Sequence, residues 1–229
     1  APKSSSAFHD RRSRTGALGI TRPTSSAAER TAELARVRAK AKRCQACPLY
    51  KLGTQTVFGE GPVDARLLLI GEQPGDKEDL AGYPFIGPAG HLLDRALAEA
   101  GIDRTEVYVT NAVKHFKWKP AGKRRLHQKP NSREILACRI WLEQELDLVR
   151  PELLVALGAT AAQALMGRAF RVTTSRGQVL KDSQGRPVLA TVHPSSVLRA
   201  PPDQREEQYQ ALVADLKKIP HGKPKPRKG

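Results

Sequence analysis

Four short runs of nearly unbroken apolar residues punctuate the chain: ARLLLIG at 65–71, EVYVTN at 106–111, ELLVALG at 152–158 and PVLATVH at 187–193. Runs this short, without polar alternation, fit strands buried on both faces. Helical periodicity fills the spaces between them, in AGHLLDRALAEAG (89–101), SREILACRIWLEQELDLV (132–149) and ATAAQALMG (159–167). It returns in PDQREEQYQALVADLKKI (202–219). Upstream, SSAAERTAELARVRAKAKR (25–43) reads as a helix whose N-cap is Ser26, with Glu29 completing a capping box. Strands alternating with helices predict an α/β fold: a three-layer α/β/α domain over 26–219 with a central four-stranded parallel sheet. No internal repeat interrupts it.

In an open parallel sheet, ligands bind outside the carboxyl ends of the strands. That rule selects GEQPG (71–75), Asn111 with the segment after it, and HPSS (193–196). Three chemically distinct clusters are therefore expected on one rim.

Composition changes this picture little, whereas the placement of charge changes it more. A chain of 229 residues, 39% of them hydrophobic, suits one sizeable domain with tails. No apolar run approaches the ~20 residues of a membrane span. The beginning of the chain lacks the layout of a secretory signal, so a cytoplasmic location is expected. The net charge of +16 is concentrated at the ends. Residues 1–43 carry 11 Lys/Arg against 3 Asp/Glu, and residues 217–229 carry 6 against none. The tails at 1–25 and 220–229 are expected to be basic and, for the first, disordered. Basic tails raise affinity for any polyanion and carry no sequence specificity.

Within the nearly neutral middle, AVKHFKWKPAGKRRLHQKP (112–130) has seven Lys/Arg and no acid. Trp118 stands between Lys117 and Lys119, which suits stacking on bases alongside phosphate contact. Lys123, Arg124 and Arg125 fit a DNA backbone, but a basic loop needs no imidazole, so His127 requires another explanation. It can be a contact, a metal ligand or a reactive group. Cys44 and Cys47 form a C-x-x-C pair, able to chelate a metal or to act as a redox couple, and Cys138 is the third thiol. An odd count argues against a disulfide framework.

Read together and in order, GEQPG…PFIGPAGHLLD, VYVTNAVK, ACRIWLEQEL, LLVALGATAAQAL and TVHPSSVLR resemble the iron–sulfur (family 4) uracil-DNA glycosylases. The resemblance covers roughly residues 32–216. Two departures point to one branch. Gln73 stands where the common first motif has Ala, and AGKRRLHQKP is an insertion the common form lacks. Both are similar to UdgX, the branch that becomes covalently attached to uracil-containing DNA.

The resemblance implies excision of uracil from a nucleotide flipped out of the DNA. It implies that Phe85 stacks on the base and that Asn111 reads its edge, because an amide matches both O4 and N3–H of uracil. His193 would donate to O2 of the departing base. Ser195 and Ser196 would contact phosphates, and Leu198 or Arg199 would fill the gap in the base stack. Glu72 would face the sugar, with His127 as the nucleophile that captures C1′. Gln73 and Asp76, grouped with the uracil-binding residues, would help hold the inserted loop against Glu72.

The same resemblance implies a four-iron four-sulfur cluster on Cys44, Cys47 and Cys138. His115 takes the place of the fourth cysteine, since NAVKH here matches a family context like NVVKC. A Cys3His zinc site is chemically acceptable too. The implied partners are uracil-containing DNA, uracil as product and no membrane, for a monomer. Two rivals predict different outcomes: a turnover enzyme in which His127 only touches DNA, and a non-catalytic iron–sulfur protein that binds damaged DNA.

Overall fold

The computed structural model describes residues 25–220, so the tails expected at 1–25 and 220–229 fall outside it except for Ser25 and Pro220. In chain order the elements begin with α1 (Ala27–Ala41), β1 (Leu67–Gly71), α2 (Asp76–Ala81), α3 (Pro88–Glu99) and β2 (Val107–Asn111). They continue with β3 (Trp118–Ala121), β4 (Arg124–His127), α4 (Ser132–Val149), β5 (Leu153–Leu157) and α5 (Gly158–Met166). The last are α6 (Val172–Ser175), β6 (Val179–Lys181), β7 (Pro187–Thr191), α7 (Pro194–Arg199) and α8 (Pro202–Lys217).

The central sheet runs β2-β1-β5-β7-β6. The first four strands are parallel, as their apolar runs predict. The sheet nevertheless has five strands rather than four, because β6 pairs antiparallel with β7. That edge strand is three residues long and mostly exposed, so it carries no hydrophobic signature. A second correction concerns the basic insertion. It is not a loop but an antiparallel hairpin, in which Trp118 lies opposite His127.

Alternate residues of each central strand feed two cores. Leu68 and Ile70 of β1 face α1, α4 and α5 through Leu34, Leu142 and Ala161. Leu67 and Leu69 face α3, α7 and α8 through Leu93, Val197 and Leu212. Because both faces are covered, the strands read as unbroken apolar runs. The capping boxes of α1 (Ser26, Glu29) and α4 (Asn131, Glu134) are both formed, which sets where those helices begin.

A buried ion pair joins the segment after β2 to α4. Lys114 and Glu145 are both fully buried, with Nζ 2.5 Å from Oε2. Lys114 also donates to the Asn111 carbonyl at 2.8 Å. Glu145 accepts from Gly59 N at 2.8 Å and from the Tyr108 hydroxyl at 3.1 Å. Every polar group of the pair is thus matched, the condition under which a buried charge is tolerated.

Candidate active site

Parallel strands end on the same edge, so β1, β2 and β7 deliver Glu72, Asn111 and His193 to one place. With the start of α5 and the outer strand β4 they surround a cavity of about 580 Å³. Phe85, His127 and Thr160 complete its reactive wall, while Lys77, Lys129 and Arg199 stand among its cationic lining residues.

Each wall is set by its own local chemistry. Phe85 has φ +57°, a left-handed conformation unusual for a bulky residue. Its backbone lies so close to α3 that a Cβ on Gly90 would come 1.7 Å from the Phe85 carbonyl oxygen. Glu78 accepts the Gly87 N–H at 2.7 Å and closes the other side of the same loop. The Phe85 ring then stands 6.3 Å from His193, centroid to centroid, with Asn111 nearby across Gly71.

His193 is neutral near physiological pH, because burial pushes its pKa down to about 4. Its Nδ1 accepts the Ser195 N–H at 3.1 Å. In a neutral imidazole that leaves the proton on Nε2, free to donate into the cavity. The Ser195 hydroxyl sits 2.8 Å from His193 Nδ1, and the Ser196 hydroxyl donates to the His193 carbonyl at 2.7 Å. Both serines therefore hold their own turn. Leu198 and Arg199 lie exposed at the rim.

Glu72 and His127 meet although they come from different sheets. His127 Nε2 is 3.2 Å from Glu72 Oε1, and the histidine side chain remains 49% exposed. The second carboxylate oxygen accepts the Thr160 hydroxyl. Burial alone would raise the Glu72 pKa; hydrogen bonds from His127 and Thr160 outweigh it, and the net shift is downward. Glu72 is a carboxylate at neutral pH.

The hairpin reaches Glu72 because two latches hold it. The Gln73 amide donates to the carbonyls of Lys117 and Gln128 at 3.2 and 3.1 Å, and its oxygen accepts from Lys117 N at 3.2 Å. Both ends of that side chain are thus used on the hairpin base. Arg125 turns inward, donating to Asp76 at 2.5 Å and to Asp79 at 2.6 Å. Its guanidinium also lies over the Phe116 and Trp118 rings. Of the three cations expected at DNA, Lys123 and Arg124 are exposed on the outer turn, whereas Arg125 and Asp76 serve each other.

None of the three thiols is in a disulfide, and Cys47 and Cys138 pack with Val113, shortly before the hairpin. Cys138 Sγ accepts Lys114 N at 3.1 Å, and Cys44 Sγ accepts Trp141 Nε1 at 3.1 Å. Burial pushes the Cys138 thiol up to about 11 and raises Cys47 as well. His115 is buried, with Nε2 3.0 Å from Thr56 Oγ1. That hydroxyl donates its own proton to the Ala41 carbonyl, so it accepts from Nε2–H. His115 Nδ1 is consequently the unprotonated nitrogen, and burial keeps the ring neutral. Among the described residues, no three His, Cys, Asp or Glu side chains converge closely enough to hold a single metal ion.

Residues 58–217 match the Uracil DNA glycosylase superfamily. The chain belongs to that superfamily. It is similar to the type-4 uracil-DNA glycosylase of Thermotoga maritima, at 37% identity over 180 residues that cover 78% of this chain and 88% of the relative. The type-4 enzyme of Pyrobaculum aerophilum is 39% identical over 167 residues, 70% of this chain and 82% of its own. That of Archaeoglobus fulgidus is 36% identical over 183 residues, 77% and 86% respectively. In this glycosylase-superfamily chain, several site residues carried no readable signal. Thr160 looks like the interior of a small-residue helix, and Asp79 like one acid of a solvated run. Gly158, at φ +85° behind His193, was detectable only as a glycine ending a strand. No helix among the described residues is long and apolar enough to cross a membrane.

Proposed function

We propose that the protein excises uracil from DNA and remains attached to the resulting sugar through His127. The observation that carries this reading is the contact of His127 with Glu72 at the cavity, on a hairpin latched by Gln73 and Arg125.

The site chemistry supports it step by step. A flipped uracil enters between Phe85 and Asn111, whose amide pairs with O4 and N3–H. His193 Nε2–H donates to O2, where negative charge develops as the base departs. Glu72 stabilises the positive charge on the sugar. The electron pair of the C1′–N1 bond leaves with uracil, and the unprotonated ring nitrogen of His127 forms the new bond to C1′. The N–H of the resulting imidazolium is balanced by Glu72. Once that proton is lost the neutral N-alkylimidazole could leave only as an imidazolide, a poor leaving group, so the adduct persists and each molecule reacts once. Lys123, Arg124, Leu198 and Arg199, all exposed, would meet the DNA around the flipped nucleotide. Ser195 and Ser196 support His193 and present the start of α7 to the backbone.

The test is the intact mass of the protein after incubation with a short uracil-containing oligonucleotide. A gain equal to the oligonucleotide less one uracil, one strand per protein, is expected. Release of uracil with no mass gain would leave an ordinary hydrolytic glycosylase, and no release would leave a DNA-binding protein.

We also propose that Cys44, Cys47, Cys138 and His115 hold a four-iron four-sulfur cluster. The donor set fits: hydrogen-bond donors face two of the sulfurs, and the high Cys138 pKa means that thiol stays protonated until a metal replaces the proton. Thr56 orients the imidazole as outer partners of metal-bound histidines do. The cluster would supply a structural tie between the end of α1, the hairpin base and α4. Oxidative removal of iron is expected to bleach visible absorbance and lower the melting temperature, with the cysteine-to-serine change at Cys138 doing the same. An unchanged melt with four irons absent would refute the structural role.

A further inference from the structure

We infer that Thr160 is a positioning residue for the reaction, holding Glu72 as an oriented carboxylate throughout it. The inference rests on the reading that Glu72 faces the sugar.

Thr160 is 3% exposed, and its hydroxyl meets Glu72 Oε2 rather than its own helix. A threonine within a helix usually returns its hydroxyl to the carbonyl four residues back. Thr160 is the third residue of α5, so that carbonyl belongs to β5, and the hydroxyl is directed out of the helix start into the cavity wall. A carboxylate only accepts, so the hydroxyl is the donor.

The two oxygens of Glu72 are therefore held by two separate elements, α5 and the hairpin. Those contacts differ in one respect that matters for the reaction. His127 bonds to C1′ in the proposed reaction, whereas Thr160 has no part in bond making. While His127 forms its bond, the hydroxyl keeps the carboxylate aimed and helps hold it ionised despite its burial. The same turn governs the other reacting group. Gly158 at φ +85° lets His193 pack so closely that a Cβ there would lie 2.9 Å from the histidine Cβ. The β5–α5 turn thus sets the separation between the carboxylate that supports the sugar and the imidazole that receives the base.

Single-turnover uracil release, measured from pH 5 to pH 8 with excess protein, tests this. Losing a hydrogen bond to a charged group is worth about tenfold or more in rate, and Thr160→Val is expected to show that loss at neutral pH. Glu72 sits below its ordinary pKa partly through this bond, so its pKa rises in the variant. The acid limb of the profile should move to higher pH, and the deficit should grow as pH falls. Thr160→Ser should restore both rate and profile. In a Glu72→Gln background, Thr160→Val should cost almost nothing, because the group it acts through is gone. An unmoved acid limb, or the same cost in both backgrounds, overturns the proposal. If Thr160→Val melts far below the parent, Thr160→Ala is run in the same comparison. Absence of an adduct in the parent would sink the covalent reading while leaving this test intact. Absence of uracil release in the parent would overturn both.

Discussion

His127→Ser is expected to release uracil yet form no complex with DNA that survives SDS and heat. The expectation follows from what the hairpin presents and what it does not. Among the cavity-lining groups, His127 is the proposed nucleophile, with its side chain half-exposed on β4, while His193 is committed by its Nδ1 contact with Ser195. Serine is shorter than histidine, and a neutral hydroxyl is a weak nucleophile without a base. Water is then expected to fill the vacated space, with Glu72, Asn111 and His193 still in position for the proposed excision. The adduct should fall from stoichiometric to undetectable, and free abasic DNA should appear in its place. Glu72 also loses one of its two hydrogen bonds, so its pKa rises, and release by the variant should fail earlier than the parent as pH is lowered. A His127→Ser protein that still crosslinks would show that another residue is the nucleophile.

Gly71→Ala is expected to abolish most of the activity while changing one methyl group. A Cβ at this position would lie 2.3 Å from Asn111 Oδ1 and 2.7 Å from Phe85 Cζ. The strand cannot move aside, because Gly71 is paired with Asn111 in the parallel register and its carbonyl accepts Ala112 N at 2.9 Å. The two side chains have little room either. Asn111 is 3% exposed, and Phe85 is held at its positive φ by the close approach of Gly90. One or both must leave the position that a uracil ring would use. Misplacement of this kind costs about 10²-fold in rate, and overpacking adds a stability loss of ~1–3 kcal/mol. Single-turnover excision and urea denaturation measure the two effects separately. Undiminished excision by Gly71→Ala would mean that Asn111 and Phe85 do not grip the base as described.

These two residues illustrate what could be read from the chain and what could not. Asn111 and Glu72 were legible because each follows a continuous apolar strand, and parallel strands put their carboxyl ends on one edge. Gly71 was legible as a glycine and no more; that a side chain there would collide depends on Asn111 and Phe85 arriving from elsewhere. The hairpin escaped for a related reason. β3 and β4 are short, largely exposed and cationic, so they bury no face that would impose a period of two. β6 is missed on the same ground, which is why the predicted sheet lacks its fifth strand.

Arg125 marks the boundary most clearly. By composition it belongs with Lys123 and Arg124 as a phosphate contact. Its actual partners are Asp76 and Asp79, which lie well before it in the chain on α2. Thr160 is a similar case, since nothing in GATAAQAL announces a carboxylate partner.

By itself, the sequence determined the alternation of buried strands and amphipathic helices, and with it the shared edge where Glu72, Asn111 and His193 emerge. It could do so because burial imposes a periodic pattern that is local to each element. Only the tertiary structure decided which polar groups pair across that edge: His127 and Thr160 with Glu72, Gln73 with the hairpin base, and Arg125 with Asp76 and Asp79. Such pairings depend on direction and distance between segments remote in the chain, and a hydrogen bond leaves no periodic trace in either of them.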